Sequence, residues 1–534
     1  MKIRTVFFNN KNSLWPAEIL KQFKIQKKYS KLYITKLEIN VTSHKYALEE
    51  KKMQITIIVI GIFLVLNVLL ATFVVFLERK NPSSTWAWLM VLFFIPILGF
   101  ILYIVFGQNL SKRRIFKWDK LEHTYLQKAV SAQMKLIKGP ERPSFLDPSV
   151  WEYKDLIYLH LNNNEALYTK NNSITTFTDG HDKFSALLTD IYEAKEHIHL
   201  IYYIIRDDEL GRKILNALIE KLHEGVEVRV LYDDSGSRTL TRRFIKDLEN
   251  AGGVIEPFFP GKIPLINLRI NYRNHRKLAI IDSKIGYIGG FNIGTEYLGM
   301  NKRFGYWRDT HLRIEGETVN NLQSRFMLDW NQASKKKISF KDYYYPTTNT
   351  YSDIGIQIVS SGPDSEWEQI KHGYIKMILT AKKYIYIQTP YLIPDESLLD
   401  AIKIASLSGV NVEIMIPNKP DHPFVYWATY SNVGQLLPSG VKIYKYENGF
   451  LHAKMIVIDD KIASVGTSNI DVRSFRLNFE VNAFIYDVNT AKKLAKIFVD
   501  DKKLASEIRM KEYQRRSIII RIKESISRLL SPIL

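Results

Sequence analysis

One eight-residue pattern occurs twice in this chain, and it restricts the possible folds more than any other feature. A histidine is followed by a lysine two positions later and by an aspartate five positions after that, and a glycine-containing stretch ending in asparagine comes next. The first copy is His275, Lys277 and Asp282 with Gly289, Gly290 and Asn292, and the second is His452, Lys454 and Asp459 with Gly466, Thr467 and Asn469. At ordinary residue frequencies the three-residue pattern arises at on the order of one position in ten thousand, so two copies are not a coincidence.

The sequence around the two copies repeats as well, which indicates a duplicated unit. Three pairs of segments keep their order in both halves: Ala194–Ile205 and Ala381–Ile393, Gly225–Leu231 and Gly409–Ile416, Tyr272–Asp282 and Gly449–Asp459. Amphipathic patterns typical of helices alternate there with runs of β-branched and aromatic residues typical of strands. This alternation predicts an α/β fold with a mostly parallel or mixed sheet in each half.

We therefore predict two α/β sandwich domains related by a pseudo-twofold axis, at residues 171–345 and 346–512. A site shared across their interface is the natural consequence of such a pair. The predicted helices are Lys183–Ala194, Gly211–His223, Trp367–Ala381 and Ser397–Ser408, and the predicted strands are His197–Ile204, Val226–Tyr232, Tyr384–Thr389 and Val410–Pro417.

The spacing within each motif suits a phosphate-binding site. A histidine and a lysine two residues apart on a strand point to the same face, and the apolar runs Leu278–Ile281 and Met455–Ile458 fit strands buried on both sides. Each aspartate then falls at the end of its strand. Two such motifs brought together would surround one cavity with two imidazoles, two ammonium groups and the amides of Asn292 and Asn469, which are suitable donors for phosphate oxygens.

Paired histidines at a phosphate site predict covalent catalysis. One imidazole attacks phosphorus and forms a phosphohistidine, while the other protonates the leaving alcohol and later deprotonates the incoming one. Each imidazole needs a carboxylate to fix its tautomer, and Asp309 and Glu480 are our candidates, although salt bridges explain both equally well. A single histidine on a strand is more often a core residue, and a single H-x-K is compatible with half of a metal site; the duplication argues against both interpretations.

Two long uncharged runs precede the repeat. Met53–Leu77 and Thr85–Phe106 contain 25 and 22 residues without a formal charge, and each exceeds the roughly 20 residues needed to cross a bilayer core. Two runs only seven residues apart favour a transmembrane hairpin over buried core helices. Lysines and arginines are more numerous outside the hairpin than in its loop, which predicts a multi-pass protein of the cell membrane with the large remainder of the chain in the cytoplasm.

Three further segments have weaker signals. Residues 1–52 carry 12 lysines and arginines against four acidic residues without a clear period, and we expect Met53 to be the true start. Residues 107–170 are expected to form a linker region. Residues 513–534 place isoleucines and leucines at helical spacing with basic residues on other faces. This basic amphipathic helix lies either on a membrane surface or against its own domain.

Composition narrows the possible chemistry. The chain has no cysteine, which excludes disulfides, zinc–thiolate sites and cysteine nucleophiles. Its formal charge of +20 suits an acidic partner, either nucleic acid or an anionic lipid surface. The predicted spans favour the lipid surface, and no basic–aromatic nucleic-acid motif is present in the sequence.

The duplicated motif resembles that of the phospholipase D superfamily, and from about Glu78 onward the chain is similar to bacterial cardiolipin synthases. The residues that carry this second resemblance are Ser84–Trp88, Gly99, Phe100, Tyr103, Phe106, Gly107, Leu231–Asp233, Gly236, Ser237, Trp307–His311, Asn469, Asp471, Arg473, Ser474 and Arg528–Pro532. The resemblance implies that a phosphatidyl group moves from one phosphatidylglycerol in the membrane to another, with release of glycerol and with no metal or organic cofactor.

The resemblance also assigns roles to residues. The catalytic set that it implies is His275, Lys277, Asp282, His452, Lys454 and Asp459, with His275 as the nucleophile and His452 as the acid and base. Gly290 stands where many members of the superfamily have serine, so one hydroxyl donor is missing from the first half.

Three other functions remain open from the sequence. A phospholipase D-type hydrolase would use the same intermediate with water as the acceptor and would release phosphatidic acid. A nuclease of the same superfamily rarely needs two spans, and a non-catalytic lipid-binding scaffold would not need two intact motifs. The hairpin favours transfer, because it holds the site where a second lipid is concentrated.

Overall fold

The computed structural model describes residues 17–76, 82–95, 98–99, 101–103, 115–116, 120–144, 146–260, 271–339, 352–529 and 531. The chain divides into two compact units, Met1–Gln108 and Asn109–Leu534.

One long helix dominates the first unit. It runs from Ala17 to Phe76 without interruption, so the basic segment after Ala17 and the first predicted span are parts of one helix. Its segment Lys21–Thr72 contains a stretch long and apolar enough to cross a membrane. Most isoleucine, leucine and valine side chains of this helix are exposed, which suits a lipid-facing surface better than the core of a soluble protein.

The helix Pro82–Phe94 covers the start of the second predicted span. It packs against the long helix around a small buried cluster of Val74, Leu92 and Tyr103. Within the described residues only the long helix has the length of a membrane span, so the two-span hairpin stays a prediction. Most of the loop between the predicted spans lies outside the described residues.

The first half of the second unit is a seven-stranded mixed sheet. Its strands and two short interface strands are β1 Asn172–Phe177, β2 His197–Tyr202, β3 Glu227–Asp233, β4 Val254–Phe258, β5 Arg273–Asn274, β6 Leu278–Ile281, β7 Ile285–Gly289, β8 Trp307–Arg308 and β9 His311–Gly316. The spatial order in the sheet is β1-β9-β7-β6-β2-β3-β4. The strands β2, β3 and β4 are parallel to one another, whereas β6 is antiparallel to β2.

The second half repeats this plan. Its strands are β10 Gly355–Ser361, β11 Tyr384–Gln388, β12 Leu392–Ile393, β13 Asn411–Pro417, β14 Lys442–Tyr446, β15 Phe450–Leu451, β16 Met455–Ile458, β17 Ile462–Gly466, β18 Ile470–Asp471, β19 Asn478–Tyr486 and β20 Ala505–Glu507. The main path is β10-β19-β17-β16-β11-β13-β14-β20, which matches the first sheet strand by strand and adds β20 at one edge. The predicted duplication and mixed α/β architecture are thus confirmed, and the apolar run of each motif forms a central strand, β6 or β16.

Both faces of these central strands are buried, as the uninterrupted apolar runs predict. Leu278 and Ile280 belong to a core shared by both halves, whereas Ala279 and Ile281 face a core that belongs to the first half. The helices of this outer core are Gly180–Glu193, Glu209–His223 and Arg242–Asn250. The helices Thr318–Ala333 and Val488–Lys502 contribute to the shared core.

The outer core of the second half extends beyond the predicted domain. The helices Lys154–Asn164, Gln369–Thr380, Glu396–Leu407 and Pro423–Leu436 line it. The region 107–170, expected as a linker, supplies the first of these helices, and its helix Lys120–Lys138 adds Val130 and Ile137 to the same core. Near the C-terminus, the helices Met510–Gln514 and Ile518–Leu529 follow β20, and the last of them packs on Pro423–Leu436.

Candidate active site

Two reciprocal strand pairs join the halves directly in front of the two motifs. The strand β5 precedes the first motif and pairs in parallel with the start of β19, while β15 precedes the second motif and pairs in parallel with β8. The backbone N–H of His275 then donates to the carbonyl of Phe479 (2.9 Å), and that of His452 donates to the carbonyl of Arg308 (2.7 Å). Each motif histidine is therefore fixed to the backbone of the opposite half.

Each imidazole also contacts a buried carboxylate of the opposite half. The Nδ1 atom of His275 lies 2.9 and 3.0 Å from the two carboxylate oxygens of Glu480. The Nδ1 atom of His452 lies 2.6 Å from Oδ2 of Asp309. With Nδ1–H donating to the carboxylate, Nε2 is the nitrogen that can react, and Nε2 of His452 lies 3.0 Å from Nζ of Lys454. The structure thus brings both candidate carboxylates to the histidines that they were expected to orient.

Burial sets the protonation state of both histidines. Burial lowers the pKa of His275 to about 4, against the opposing effect of Glu480. Burial together with the Lys454 ammonium lowers the pKa of His452 to about 4, although Asp309 opposes this shift. Both imidazoles are consequently neutral at pH 7 in the free protein.

The motif lysines lie buried beside the histidines. The ammonium of Lys277 donates to the carbonyl of His275 (2.6 Å), and that of Lys454 donates to the carbonyl of His452 (2.5 Å). Burial lowers the pKa of Lys277 to about 7, with Glu480 opposing, and lowers that of Lys454 to about 8, with Asp309 opposing. A bound phosphate would add negative charge beside both groups and favour their protonated form.

Both histidines line a single cavity of about 730 Å³, and the two motif asparagines line it too. The Oδ1 atom of Asn292 accepts from the N–H of Ile204 (3.1 Å), and its amide nitrogen donates to the hydroxyl of Tyr297 (3.1 Å). The Oδ1 atom of Asn469 is buried and has no hydrogen-bond partner within the described residues. The cavity therefore collects the histidine and asparagine of both motifs around one volume.

Four arginines that the spacing argument did not assign also line the cavity: Arg206, Arg273, Arg303 and Arg473. Arg273 precedes His275 by two residues, so the strand alternation used for Lys277 would have placed it on the same face. The helix Val472–Arg476, capped at its start by the Asp471 side chain, carries Arg473 into the cavity wall. Asp471 lines the same cavity, and burial raises the pKa of its carboxyl group to about 6. The four arginines still give the cavity an excess of basic groups, which suits an anionic substrate.

The two motif aspartates lie elsewhere. Asp282 accepts three backbone N–H bonds of 2.8 to 2.9 Å from residues 195–197, where β2 begins. Asp459 accepts three of 2.7 to 2.8 Å from residues 382–384, where β11 begins. A four-residue strand, roughly 13 Å long, separates each aspartate from its motif lysine, and neither aspartate is among the cavity residues. They fix the turns that end β6 and β16, and their inclusion in the catalytic set stays a prediction.

Gly290 and Thr467 occupy equivalent places but differ in their contacts. The hydroxyl of Thr467 donates to Oε2 of Glu480 (2.6 Å). A Cβ atom on Gly290 would lie 1.9 Å from Oδ1 of Asp309. The carboxyl group of the shorter Asp309 therefore fills the space that a side chain at position 290 would need, which explains the missing hydroxyl physically.

Comparison with known proteins finds a family model that matches both halves of this chain. The family model described as "Cardiolipin synthase, PLD-like domain" matches residues 187–330 and 374–502, one segment in each half. A cardiolipin synthase of Oceanobacillus iheyensis is 58% identical over 482 residues, which cover 90% of this chain and 100% of that protein. The chain belongs to the cardiolipin synthase family of the phospholipase D superfamily.

Other comparisons agree with this membership, which confirms the resemblance stated from the motifs. The major cardiolipin synthase of Bacillus subtilis is 57% identical over 483 residues, again 90% of this chain and 100% of that protein. A model described as phospholipase D-nuclease N-terminal matches residues 65–108. The crystal structure of phosphatidylserine synthase from Haemophilus influenzae has a TM-score of 0.56 at 14% identity, over 71% of this chain and 100% of that one, and so shares the fold.

Proposed function

We propose that this member of the cardiolipin synthase family is a phosphatidyltransferase that converts two phosphatidylglycerol molecules into cardiolipin and glycerol. The observation that carries the proposal is the pair of histidine–carboxylate contacts, exchanged between the halves, at one basic cavity. Relatives at 58 and 57% identity that are cardiolipin synthases support the choice of substrate.

In the first step, Nε2 of His275 attacks the phosphorus of one phosphatidylglycerol. The new P–N bond forms while the P–O bond to the headgroup glycerol breaks, and the imidazolium of His452 gives its proton to the departing oxygen. The free His452 is neutral, since its pKa is about 4. The anionic phosphodiester adds negative charge to that of Asp309 and raises this pKa when substrate binds, so the substrate itself favours the proton-carrying form.

In the second step, neutral His452 takes a proton from a hydroxyl of the second phosphatidylglycerol. The oxygen attacks phosphorus, the P–N bond breaks, and His275 is regenerated. The charge on the non-bridging phosphate oxygens rises in both transition states. We assign its stabilisation to Asn292 and Asn469, which line the cavity, and to Lys277 and Lys454, which lie beside the histidines.

We also propose that residues 53–77 and 85–106 anchor the protein twice in the cell membrane, with the second unit in the cytoplasm. The long apolar helix supports one span, and the family match at residues 65–108 covers all of the second run and about half of the first. The absence of cysteine allows a direct test with Lys246→Cys, on an exposed helix of the second unit. A membrane-impermeant maleimide should label this cysteine only after cells are opened, and labelling of intact cells would contradict the orientation.

The reaction is tested with purified full-length protein and phosphatidylglycerol labelled in both the phosphatidyl and the glycerol part. Cardiolipin and free glycerol should appear in equal amounts. Phosphatidic acid as the main product would identify a hydrolase instead, and DNA cleavage without lipid turnover would identify a nuclease.

The two-histidine mechanism predicts that His275→Ala and His452→Ala each lower transfer by on the order of 10³-fold, because each removes a bond to phosphorus or a proton carrier. His223→Ala, at an exposed helix end outside the cavity, is the matched control and should keep full activity. With a donor whose leaving group needs no proton, His452→Ala should still retain phosphorus label on the protein, whereas His275→Ala should not. Full transfer activity in either cavity variant would refute the mechanism.

A further inference from the structure

The helix Ile518–Leu529 turns its apolar side away from the protein. Five large apolar side chains on one face are mostly exposed: Ile518 72%, Ile519 61%, Ile522 53%, Ile526 52% and Leu529 77%. On the opposite face, Glu524 and Ser527 are only 3% and 1% exposed. A surface helix that packs on its own domain normally buries its apolar stripe, so this orientation is reversed.

Specific polar contacts fix this orientation. The Nε atom of Arg516 donates to both carboxylate oxygens of the buried Glu524, at 2.7 and 2.9 Å. The hydroxyl of Tyr513 donates to the carbonyl of Tyr430 (2.9 Å) on the neighbouring helix. Rolling the helix to bury its isoleucines would separate Arg516 from Glu524 and expose a carboxylate that is now buried and paired. The exposed stripe is therefore a stable feature of the surface.

The neighbouring helix, Pro423–Leu436, leads directly to the catalytic cavity. Pro423, Phe424 and Val425 at its start line that cavity, and Phe424 is 54% exposed. Further along, Lys523 of the last helix lies over the ring of Trp427, with 5.4 Å from its ammonium to the ring centre. These two helices, Pro423–Leu436 and Ile518–Leu529, are called the C-terminal platform below. Its surface extends from the cavity to the exposed isoleucine stripe.

The charges of the platform match an anionic bilayer. The helix Ile518–Leu529 carries Arg521, Lys523 and Arg528 against one glutamate, and residues 509–517 just before it add four lysines and arginines and one glutamate. On a helix with 3.6 residues per turn, Arg521 and Lys523 fall on either side of the isoleucine stripe. Such flanking side chains place their charges at lipid phosphates while the apolar face enters the acyl region. A second copy of the same basic surface would instead bring like charges together.

We propose that the C-terminal platform docks on the anionic membrane surface and holds the mouth of the catalytic cavity against the lipid headgroups. Both lipid substrates then reach the histidines from the plane of the bilayer. The docking itself requires an anionic bilayer and not a particular reaction, so it is tested separately from the proposed phosphatidyl transfer.

The first experiment measures contact with lipid in the full-length protein, reconstituted in vesicles of phosphatidylglycerol and phosphatidylcholine. Ile522→Cys, labelled with an environment-sensitive fluorophore, should be quenched severalfold more strongly by nitroxide-bearing lipids than the control Lys246→Cys. Replacing phosphatidylglycerol by phosphatidylcholine should reduce the quenching at residue 522. Equal quenching at the two sites would overturn the proposal. A shielded fluorophore that lipids do not quench, with shielding that grows with protein density, would overturn it in favour of a second copy.

The second experiment links docking to turnover. The triple variant Ile519→Ser, Ile522→Ser and Ile526→Ser changes only exposed side chains, so its Tm should stay that of the wild type. Diluting phosphatidylglycerol within the bilayer should reveal an apparent KM raised by roughly five- to tenfold with kcat retained, because three apolar anchors no longer enter the membrane. Lys492→Ser with Lys493→Ser, exposed on another helix, is the control and should leave KM unchanged.

The two proposals fail in different ways. Strong lipid quenching at residue 522 without cardiolipin production would contradict the proposed reaction and support membrane docking of the platform. An unchanged KM in the triple variant, together with weak quenching, would contradict the docking and leave the proposed reaction unaffected.

Discussion

The two halves of the second unit share one strand order, yet they hold the carboxylates that contact the motif histidines differently. In the second half, Glu480 accepts hydrogen bonds from the hydroxyl of Thr467 (2.6 Å) and the amide of Asn478 (3.2 Å). In the first half, Asp309 accepts from the backbone N–H of Thr310 (2.7 Å), next to a glycine with no room for a side chain. The longer carboxylate therefore goes with a hydroxyl and the shorter one with a glycine.

This difference matters because the carboxylates are exchanged between the halves. Glu480 contacts the histidine of the first motif, and Asp309 contacts that of the second. Neither half alone contains a complete histidine–carboxylate pair. The duplication thus supplies two similar scaffolds, and the exchange joins them into one site in which the two histidines can take different roles.

The largest loss of kcat is expected when the carboxylates themselves are replaced by amides. Glu480→Gln and Asp309→Asn should each lower kcat by roughly 10²- to 10⁴-fold, because an amide neither fixes the reactive tautomer nor stabilises an imidazolium. If the halves have the proposed roles, a donor with a good leaving group should restore formation of the phosphorylated protein in Asp309→Asn only. Glu249→Gln, exposed on the helix Arg242–Asn250, is the control. Equal rescue in both carboxylate variants would show that the roles are not divided between the halves in this way.

A smaller and unequal loss of kcat is expected at Gly290 and Thr467, which lie beside the two carboxylates in space. Gly290→Ala should lower kcat by roughly 10²-fold, because the new Cβ would lie 1.9 Å from Oδ1 of Asp309 and force it away from His452. Thr467→Val removes one hydrogen bond from Glu480, which keeps its contact with His275, and should cost only about tenfold. Steady-state kinetics of proteins with matched Tm values check the order. A milder loss in Gly290→Ala than in Thr467→Val would contradict the packing explanation.

The pH dependence of kcat/KM should distinguish Lys277 of the first motif from Lys454 of the second. The profile of kcat/KM reports the free protein, in which the pKa of His275 is about 4 and the pKa values of Lys277 and Lys454 are about 7 and 8. His275 must be neutral to attack and the lysines must be charged to bind phosphate. His452 must be protonated in the first step, and because its pKa is also about 4, kcat/KM should be highest near pH 4 and decline on both sides. Loss of the Lys277 proton should make this decline steeper past pH 7, and this steeper part is the alkaline limb.

Substitution by arginine, which stays charged, makes this prediction specific. Lys277→Arg should move the alkaline limb of the kcat/KM profile upward by about one pH unit, to that of Lys454. Lys454→Arg should leave that limb in place, because Lys277 loses its proton first. An alkaline limb that moves in Lys454→Arg, and not in Lys277→Arg, would reverse the assignment.

The sequence predicts the scaffold better than the contacts across the interface. Local sequence patterns predict β2 and β11 from their β-branched and aromatic residues, and they predict β6 and β16 from apolar runs that suit strands buried on both faces. The duplication follows from the repeated order of these patterns. The approach of Asp309 to His452 joins residues 143 positions apart through pairing of the short strands β8 and β15, which local patterns do not encode. The outward stripe of the last helix depends on the burial of Glu524 in its ion pair with Arg516, which helical periodicity alone does not reveal.

The smallest effect on turnover is expected at the motif aspartates, where the two halves are alike. Asp282 and Asp459 have φ values of 52° and 54°, and each caps three backbone N–H groups. Asparagine tolerates this backbone conformation but keeps only one acceptor oxygen. Asp282→Asn and Asp459→Asn should therefore destabilise the fold by a similar amount, about 1–3 kcal/mol, with kcat per folded molecule within about twofold of the wild type. Thermal unfolding and active-site titration measure the two quantities separately. A loss of kcat beyond tenfold at an unchanged Tm would support the place of these aspartates in the catalytic set, because a residue that only fixes a turn cannot slow chemistry without weakening the fold.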